Sequence, residues 1–278
     1  MAQLDVLICT LDKGIVRILD NLLAPCESVH YIVSFQYSDE RFLELIPNAL
    51  IKREDVTFIK LKGTGLSVNR NNALKRANSE LVIFADDDTR FNDADFRNVI
   101  KVMEEHPNID IAFFQATTYT GRLLKDYPSK SMDIREYAQE INISAIEMVC
   151  QRHKIQNKLF FDERFGLGTA FLTCGEEIIW LIDALKMGLR MQYFPIKMVE
   201  TSTMLKQRMI YVDVGVQRAK GAIAYYKEGI KAWWTCLKFA CNSTFKGYCH
   251  FFPMMRHLAQ GIYYIQRTNR CLNKKSRF

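Results

Sequence analysis

Apolar and polar positions along the first 116 residues follow two alternating rhythms. Leu4–Thr10, Val29–Phe35, Asp55–Leu61, Leu81–Ala85 and Ile109–Gln115 are short runs dense in β-branched and aromatic residues, and they read as strands. Between them the apolar residues recur at helical spacing over roughly residues 13–24, 39–51, 67–79 and 92–106. Strands alternating with helices predict a parallel sheet with right-handed crossovers. The rhythm then breaks. Residues 117–132 are polar, carry Gly121 and Pro128, and read as a flexible loop of the kind that borders active sites. Gln151–Lys158 is a second polar break, and Asp162–Gly175 is glycine-bearing and non-periodic. A helix is predicted from about Glu176 to Met187, ended by Gly188. Arg190–Phe194 reads as a strand before Pro195, and from about Val214 the pattern is helical to the end. The predicted class is α/β: a mostly parallel sheet flanked by helices over residues 1–213, with a helical extension over 214–278.

The strand Leu81–Ala85 runs straight into Asp86, Asp87 and Asp88. In an open α/β sheet the C-terminal edge of the strands is where ligands bind. Three adjacent carboxylates repel one another, so a cation is expected nearby. Oxygen donors in a loop suit a hard divalent ion carried with a phosphate-bearing substrate. The alternative is an acidic turn that caps the following helix.

Two further segments carry chemistry. Gly63–Leu74 (GTGLSVNRNNAL) opens a helix with Ser67 as a natural N-cap. Arg70 then falls in the first turn, where a cation opposes the helix dipole unless an anion such as a diphosphate sits at that helix end; a solvated arginine is the alternative. Phe161–Glu177 (FDERFGLGTAFLTCGEE) places Gly166 and Gly168 in a tight loop before Glu176 and Glu177. Acids in a first helical turn serve as dipole partners, or one of them serves as a general base toward a hydroxyl.

In this order, GLSxxRNxAL, a D-x-D at a strand end and FDExFGxG followed by G-E-E resemble a family 2 glycosyltransferase of the GT-A fold, over roughly residues 4–200. The resemblance implies an inverting enzyme that takes its sugar from a nucleoside-diphosphate donor. It implies that Asp86 and Asp88 bind Mn²⁺ or Mg²⁺ and, with Asp87, the sugar nucleotide. It further implies that Thr10, Arg70 and Asn71 lie on the nucleotide side, and that Glu177 is the base with Glu176 as alternate. Two departures stand out. Where the family often has a nucleotide-contacting Asp after the second strand, only Asp39 remains, late in the turn. Where many members have a metal-binding His after the last strand, Pro195–Thr201 has none, and Glu200 is the nearby candidate ligand.

Composition narrows the setting. Eight cysteines are scattered with no C-x-x-C pair, which argues against a zinc site and for a reducing compartment. The N-terminus lacks the basic and apolar regions of a secretory signal, and no apolar run is long enough to span a bilayer. The net charge of +7 is uneven: residues 214–278 hold twelve Lys/Arg against Glu228 alone, together with twelve aromatics. That region reads as a surface docking on anionic membrane, with Trp233, Trp234, Leu237 and Ala240 on one helix face. The alternative is a helical pair that packs its aromatics inward. The expected partners are therefore a nucleotide sugar, a glycan or lipid-linked acceptor, and an anionic membrane surface, with no nucleic acid. The expected location is cytoplasmic, with a peripheral site on the inner face of the cell membrane. The competing class is a basic, aromatic module that binds nucleic acid or membrane without transferase activity. A phosphatase with an aspartate nucleophile needs Thr or Val two places past its second Asp, where Arg90 stands, and a sugar nucleotidyltransferase needs a glycine-rich N-terminal loop that Leu7–Lys13 does not supply.

Overall fold

A computed structural model describes residues 3–137, 143–202 and 209–275, with side chains through residue 269 apart from Tyr137. Cys271 and the other side chains from Arg270 onward lie outside the described residues. The chain divides into two compact units, residues 1–161 with 183–205, and residues 162–182 with 206–278.

The first unit is built on one mixed sheet. Its elements in chain order are β1 (Leu4–Leu11), α1 (Ile18–Asn21), β2 (Val29–Tyr37), α2 (Asn48–Ile51), β3 (Val56–Lys62), α3 (Leu66–Arg76), β4 (Leu81–Asp86), β5 (Thr89–Arg90), α4 (Asp93–Glu105), β6 (Ile111–Thr118), β7 (Met132–Asp133), α5 (Ile134–Tyr137), β8 (Met148–Gln151) and α6 (Arg152–Ile155). α7 (Glu176–Lys186) contains the unit boundary, and β9 (Met191–Thr201) returns to the sheet. The strand order is β3-β2-β1-β4-β8-β6-β9-β5, with β7 beside β9. β1 pairs in parallel with both β2 and β4 and is buried from Leu4 to Thr10, which explains its unbroken apolar run.

Several elements depart from the sequence pattern. β8, a strand the sequence pattern did not mark, pairs antiparallel with β4 and with β6, so the mostly parallel sheet expected from the alternation is mixed at this point. β8 is only four residues of a continuous buried run, and such a run has no period to mark it as a strand. The helices expected at 13–24 and 39–51 are each split into a 3₁₀ segment (Asp12–Arg17, Glu40–Leu45) and one α turn. In the second case Pro47 forces Ile46 out of helical geometry. β9 continues through Pro195, where the predicted strand stopped. Its register against β6 shifts between Phe113/Tyr193 and Gln115/Lys197, so the proline occupies an irregularity where the ladder asks for no N–H.

The polar stretch 117–132, expected to be a flexible loop, is anchored. Glu147 is buried and accepts from Lys125 Nζ (2.7 Å) and Tyr127 OH (2.5 Å), and Tyr193 OH donates to the Pro128 carbonyl (3.0 Å). Glu147→Gln removes the negative charge that faces the mostly buried Lys125. We expect a loss of about 3 kcal/mol of stability, the scale for breaking a buried ion pair from one side, read as a lowered midpoint in urea unfolding.

The second unit contains the loop 162–175, the start of α7, and the helices α8 (Met209–Val212), α9 (Val214–Glu228), α10 (Ala232–Phe245) and α11 (Phe251–Lys275). Phe165, Leu172 and Ile179 share a core with Ala219, Ala222 and Ile265. α9 and α11 meet closely at Gly221 and Gly261, where an added Cβ would lie 2.0 and 1.9 Å from the opposite backbone. The basic C-terminal stretch is therefore the partner that buries Phe165, Leu172 and Ile179. Among the described residues, no helix is long and apolar enough to cross a membrane, and the described cysteines are all free.

Candidate active site

The three aspartates leave the sheet at the C-terminal edge of its parallel strands, Asp86 lying opposite Cys9 of β1. Each is held differently. Asp86 Oδ1 sits 3.3 Å from Arg70 Nη2; the arginine is buried, and its guanidinium lies 5.3 Å from the Phe161 ring centroid. Asp87 accepts from Thr10 Oγ1 (2.9 Å) and from Arg17 Nη2 (2.5 Å), while its carbonyl accepts from Asn21 Nδ2 (2.6 Å). Burial pushes the Asp87 carboxyl above its ordinary value and the neighbouring Asp88 and Asp86 add to this, against the Thr10 hydrogen bond and the Arg17 charge. Asp88 accepts from Ser202 Oγ and Thr201 Oγ1, and its carbonyl accepts from Tyr119 OH (2.5 Å). The cation expected beside the triplet is thus supplied in part by two arginines, from α3 and from the 3₁₀ turn after β1.

α4 carries its own cap. Asn92 Oδ1 accepts from Asp95 N (2.9 Å) and Asp95 Oδ2 accepts from Asn92 N (2.9 Å). The acidic triplet is therefore not the cap of that helix, and the alternative reading of it falls.

The GLS segment also differs in detail. Gly65, at φ +123°, is the N-cap of α3, and Ser67 is buried inside the helix. Only glycine adopts that conformation cheaply. Arg70 becomes the fifth helical residue, beyond the first turn, so the dipole argument made for it gives way to its ion pair with Asp86. Asn71 Nδ2 donates to the Phe161 carbonyl (2.9 Å) and its Oδ1 accepts from Phe161 N (2.8 Å), fixing the ring beneath Arg70. Asn69 Nδ2 donates to the Thr10 carbonyl (3.1 Å), tying α3 to the end of β1.

The region after β2 has a different acid in play. Asp39 accepts from Arg41 N as the cap of a 3₁₀ turn. Asp12 takes a left-handed conformation at φ +50° and is held there by Ser38 N and Oγ, both at 2.7 Å. On the last strand Glu200 pairs with Lys197 (3.2 Å), while the hydroxyls of Thr201 and Ser202 reach Asp88.

Gly14 was invisible in the sequence and matters here. A Cβ on it would lie 1.8 Å from Asp87 Oδ2 and 2.5 Å from Thr10 Oγ1. The missing side chain is the space the Asp87 carboxylate occupies. Gly14→Ala is expected to displace Asp87 and cost about 10²-fold in turnover, the scale of a 1 Å misplacement, with the melting transition still cooperative in calorimetry.

Glu176 and Glu177 belong to the second unit, as the first two residues of α7. Glu176 is buried and Glu177 half-buried. The loop before them is shaped by Gly166, Gly168 and Gly175 at φ +108°, +85° and +93°. Gly166 N donates to the Leu172 carbonyl (2.9 Å), and Thr169 Oγ1 donates to the same carbonyl (2.7 Å). Asp162 and Arg164 form a close ion pair, and Arg164 Nη1 donates to Thr268 Oγ1 (2.6 Å) and Asn269 Oδ1 (2.9 Å) of α11. Thr173 Oγ1 donates to Asp213 (3.3 Å), the N-cap of α9. Burial pushes the Cys174 thiol up to about 12, with Glu176, Asp213 and Glu177 adding to it, which marks this corner as electronegative.

Among the described residues, no three His, Cys, Asp or Glu side chains converge as a metal site. The donor set still fits Mg²⁺ or Mn²⁺. Such an ion is held by one or two carboxylates and completed by waters and substrate phosphates, and Asp86 and Asp88 offer two carboxylates on one turn.

The fold, a mostly parallel sheet flanked by helices with the acidic turn at the end of β4, is of the GT-A type. The chain belongs to glycosyl transferase family 2: residues 6–176 match that family, a span that ends at Glu176. It is a glycosyltransferase. No curated protein matches the chain. Among solved structures it resembles S. aureus TarS 1-349, with a TM-score of 0.54 at 14% identity, covering 87% of this chain and 72% of that one. The same S. aureus fragment in complex with UDP-GlcNAc gives the same figures. In complex with UDP it gives a TM-score of 0.50 at 15% identity, covering 88% of this chain and 72% of that one. At this identity the likeness is one of fold.

Proposed function

We propose that the protein moves a sugar from a nucleoside-diphosphate donor to a hydroxyl of a glycan or lipid-linked acceptor, with inversion and with Mn²⁺ or Mg²⁺ as cofactor. The observation that carries this reading is the acidic turn at the sheet edge, tied to Thr10, Arg17 and Arg70 within a family 2 domain. S. aureus TarS in complex with UDP and with UDP-GlcNAc supports a nucleotide sugar as donor.

On this reading Asp86 and Asp88 hold the divalent ion, which when bound offsets charge on the departing diphosphate. Arg70 orients Asp86 and leaves it net charge-balanced until donor and ion arrive. Asp87, set by Thr10, Arg17 and the absent Cβ of Gly14, faces the nucleoside, with Thr10 beside it. Asn71 acts through Phe161, as a positioning residue. Glu177, or Glu176 in its place, takes the acceptor proton as the acceptor oxygen bonds to the anomeric carbon and the bond to the diphosphate breaks on the opposite face. The protein would work in the cytoplasm, on a free glycan or on one carried by lipid at the inner membrane face.

A panel of sugar nucleotides tests this. Release of nucleoside diphosphate and a rise in melting temperature are measured with Mn²⁺, with Mg²⁺ and with chelator. At least one donor should stabilise the protein and turn over only with metal. Absence of both effects across the panel defeats the proposal.

A further inference from the structure

α10 has its large residues on the outside and its small ones within. Ala232, Cys236, Ala240 and Ser243 are buried and fall on one side of the helix. The core they enter also holds Met254, Leu258 and Ile262. Lys231, at its N-cap, and Trp234, Lys238, Cys241 and Phe245 recur at spacings of three and four, which places them on the opposite face, and all are exposed. Trp234 is 68% exposed and Phe245 92%, and Ile230, next to the N-cap, is 79% exposed. A water-soluble helix normally places such residues inward. The face expected from the sequence, built on Trp233, Trp234, Leu237 and Ala240, is divided in the fold: Ala240 is buried, Trp233 and Leu237 half-buried, and Trp234 turns outward.

The charge around this face names its partner. Lys231 and Lys238 lie on it and Lys246 is the C-cap of the same helix, all three exposed, and from residue 214 onward the chain holds a single acid, Glu228. Glu228 is engaged by Thr235 Oγ1. Aromatic rings with lysines along one exposed stripe suit the headgroup zone of a bilayer, where rings sit at the apolar boundary and ammonium groups meet lipid phosphate. A protein surface would equally cover the rings. It would have to be strongly acidic to match the lysines, and the uniform sign of this region matches an anionic leaflet directly.

We propose that the outer face of α10, with Ile230 at its start, is a docking surface for anionic lipid membrane. It gives the lipid-linked form of the acceptor reading a physical surface and rests on that reading for its purpose. The binding itself needs neither donor nor acceptor. No membrane-spanning helix is required for such a contact.

Flotation of the full chain with vesicles tests it. The chain should float with phosphatidylglycerol/phosphatidylcholine vesicles, stay in solution with phosphatidylcholine alone, and be released by salt. Trp234→Ala with Phe245→Ala should lower partitioning more than about tenfold while circular dichroism and melting stay unchanged, since both side chains are exposed. Lys231→Gln and Lys238→Gln should each weaken it by about fivefold, the scale for one cation near an anionic surface. Equal flotation of wild type and the double aromatic variant overturns the proposal. So does a concentration-dependent dimer in sedimentation velocity that the same variant abolishes, which would make the face an interface between copies. Vesicle binding without turnover of any donor would defeat the transferase reading alone.

Discussion

Glu177→Gln is expected to lower turnover by about 10²–10⁴-fold, the usual contribution of a positioned general base, with little change in donor affinity. The glutamine keeps the size and the first-turn position of the side chain, so the loss reports the missing proton acceptor. Glu177 is half-buried, and Glu176 beside it is buried in the first turn of α7. Glu176→Gln is therefore expected to shift stability more than the chemical step. Steady-state turnover, with donor binding measured separately by calorimetry, distinguishes the two. A dead Glu176→Gln beside an active Glu177→Gln reverses the assignment. The loop upstream supplies a control: Gly175 has a φ of +93°, and a Cβ there would meet Ile223 Cδ1 at 2.5 Å, so bulk at that position disturbs the entry to the helix without touching either carboxyl.

Asp88→Asn is the second large effect. It should abolish metal-dependent donor binding while the melting temperature stays near wild type. Asp88 accepts from the hydroxyls of Ser202 and Thr201, and an amide oxygen can keep those contacts. What the amide cannot supply is the charge that a hard divalent ion seeks. Asp86→Asn should also weaken metal-dependent binding and in addition remove the negative charge facing the buried Arg70, so that variant should lose stability as well. Titration of Mn²⁺ against donor affinity in the two variants separates ion binding from folding. Full turnover by Asp88→Asn would remove the turn from the mechanism.

Much of the architecture was legible in the chain. Strand β4 announced itself by a buried apolar run ending in acids, and the order of three motifs along the chain carried the family. These are local signals: periodicity, glycine placement and charge sequence act within a few residues, and the pattern of residues records them directly. The stop at Gly188, φ +73°, is of the same kind.

What the chain alone did not disclose depends on residues far apart in sequence. Arg17 and Asn21 reach Asp87 across 70 and 66 residues, Ser202 reaches Asp88 across 114, and Gly14 matters only because Asp87 fills the space beside it. β8 lacked a period because it is short and buried on both faces. The direction of Trp234 was open as well, since tryptophan on a helix is consistent with either face until the small residues opposite it find their core. Local pattern determined which elements form and where the chemistry-bearing side chains lie along them. Tertiary packing alone decided which hydrogen bonds hold each aspartate, and which face of α10 meets the outside, because both follow from close approach between segments that sequence spacing does not relate.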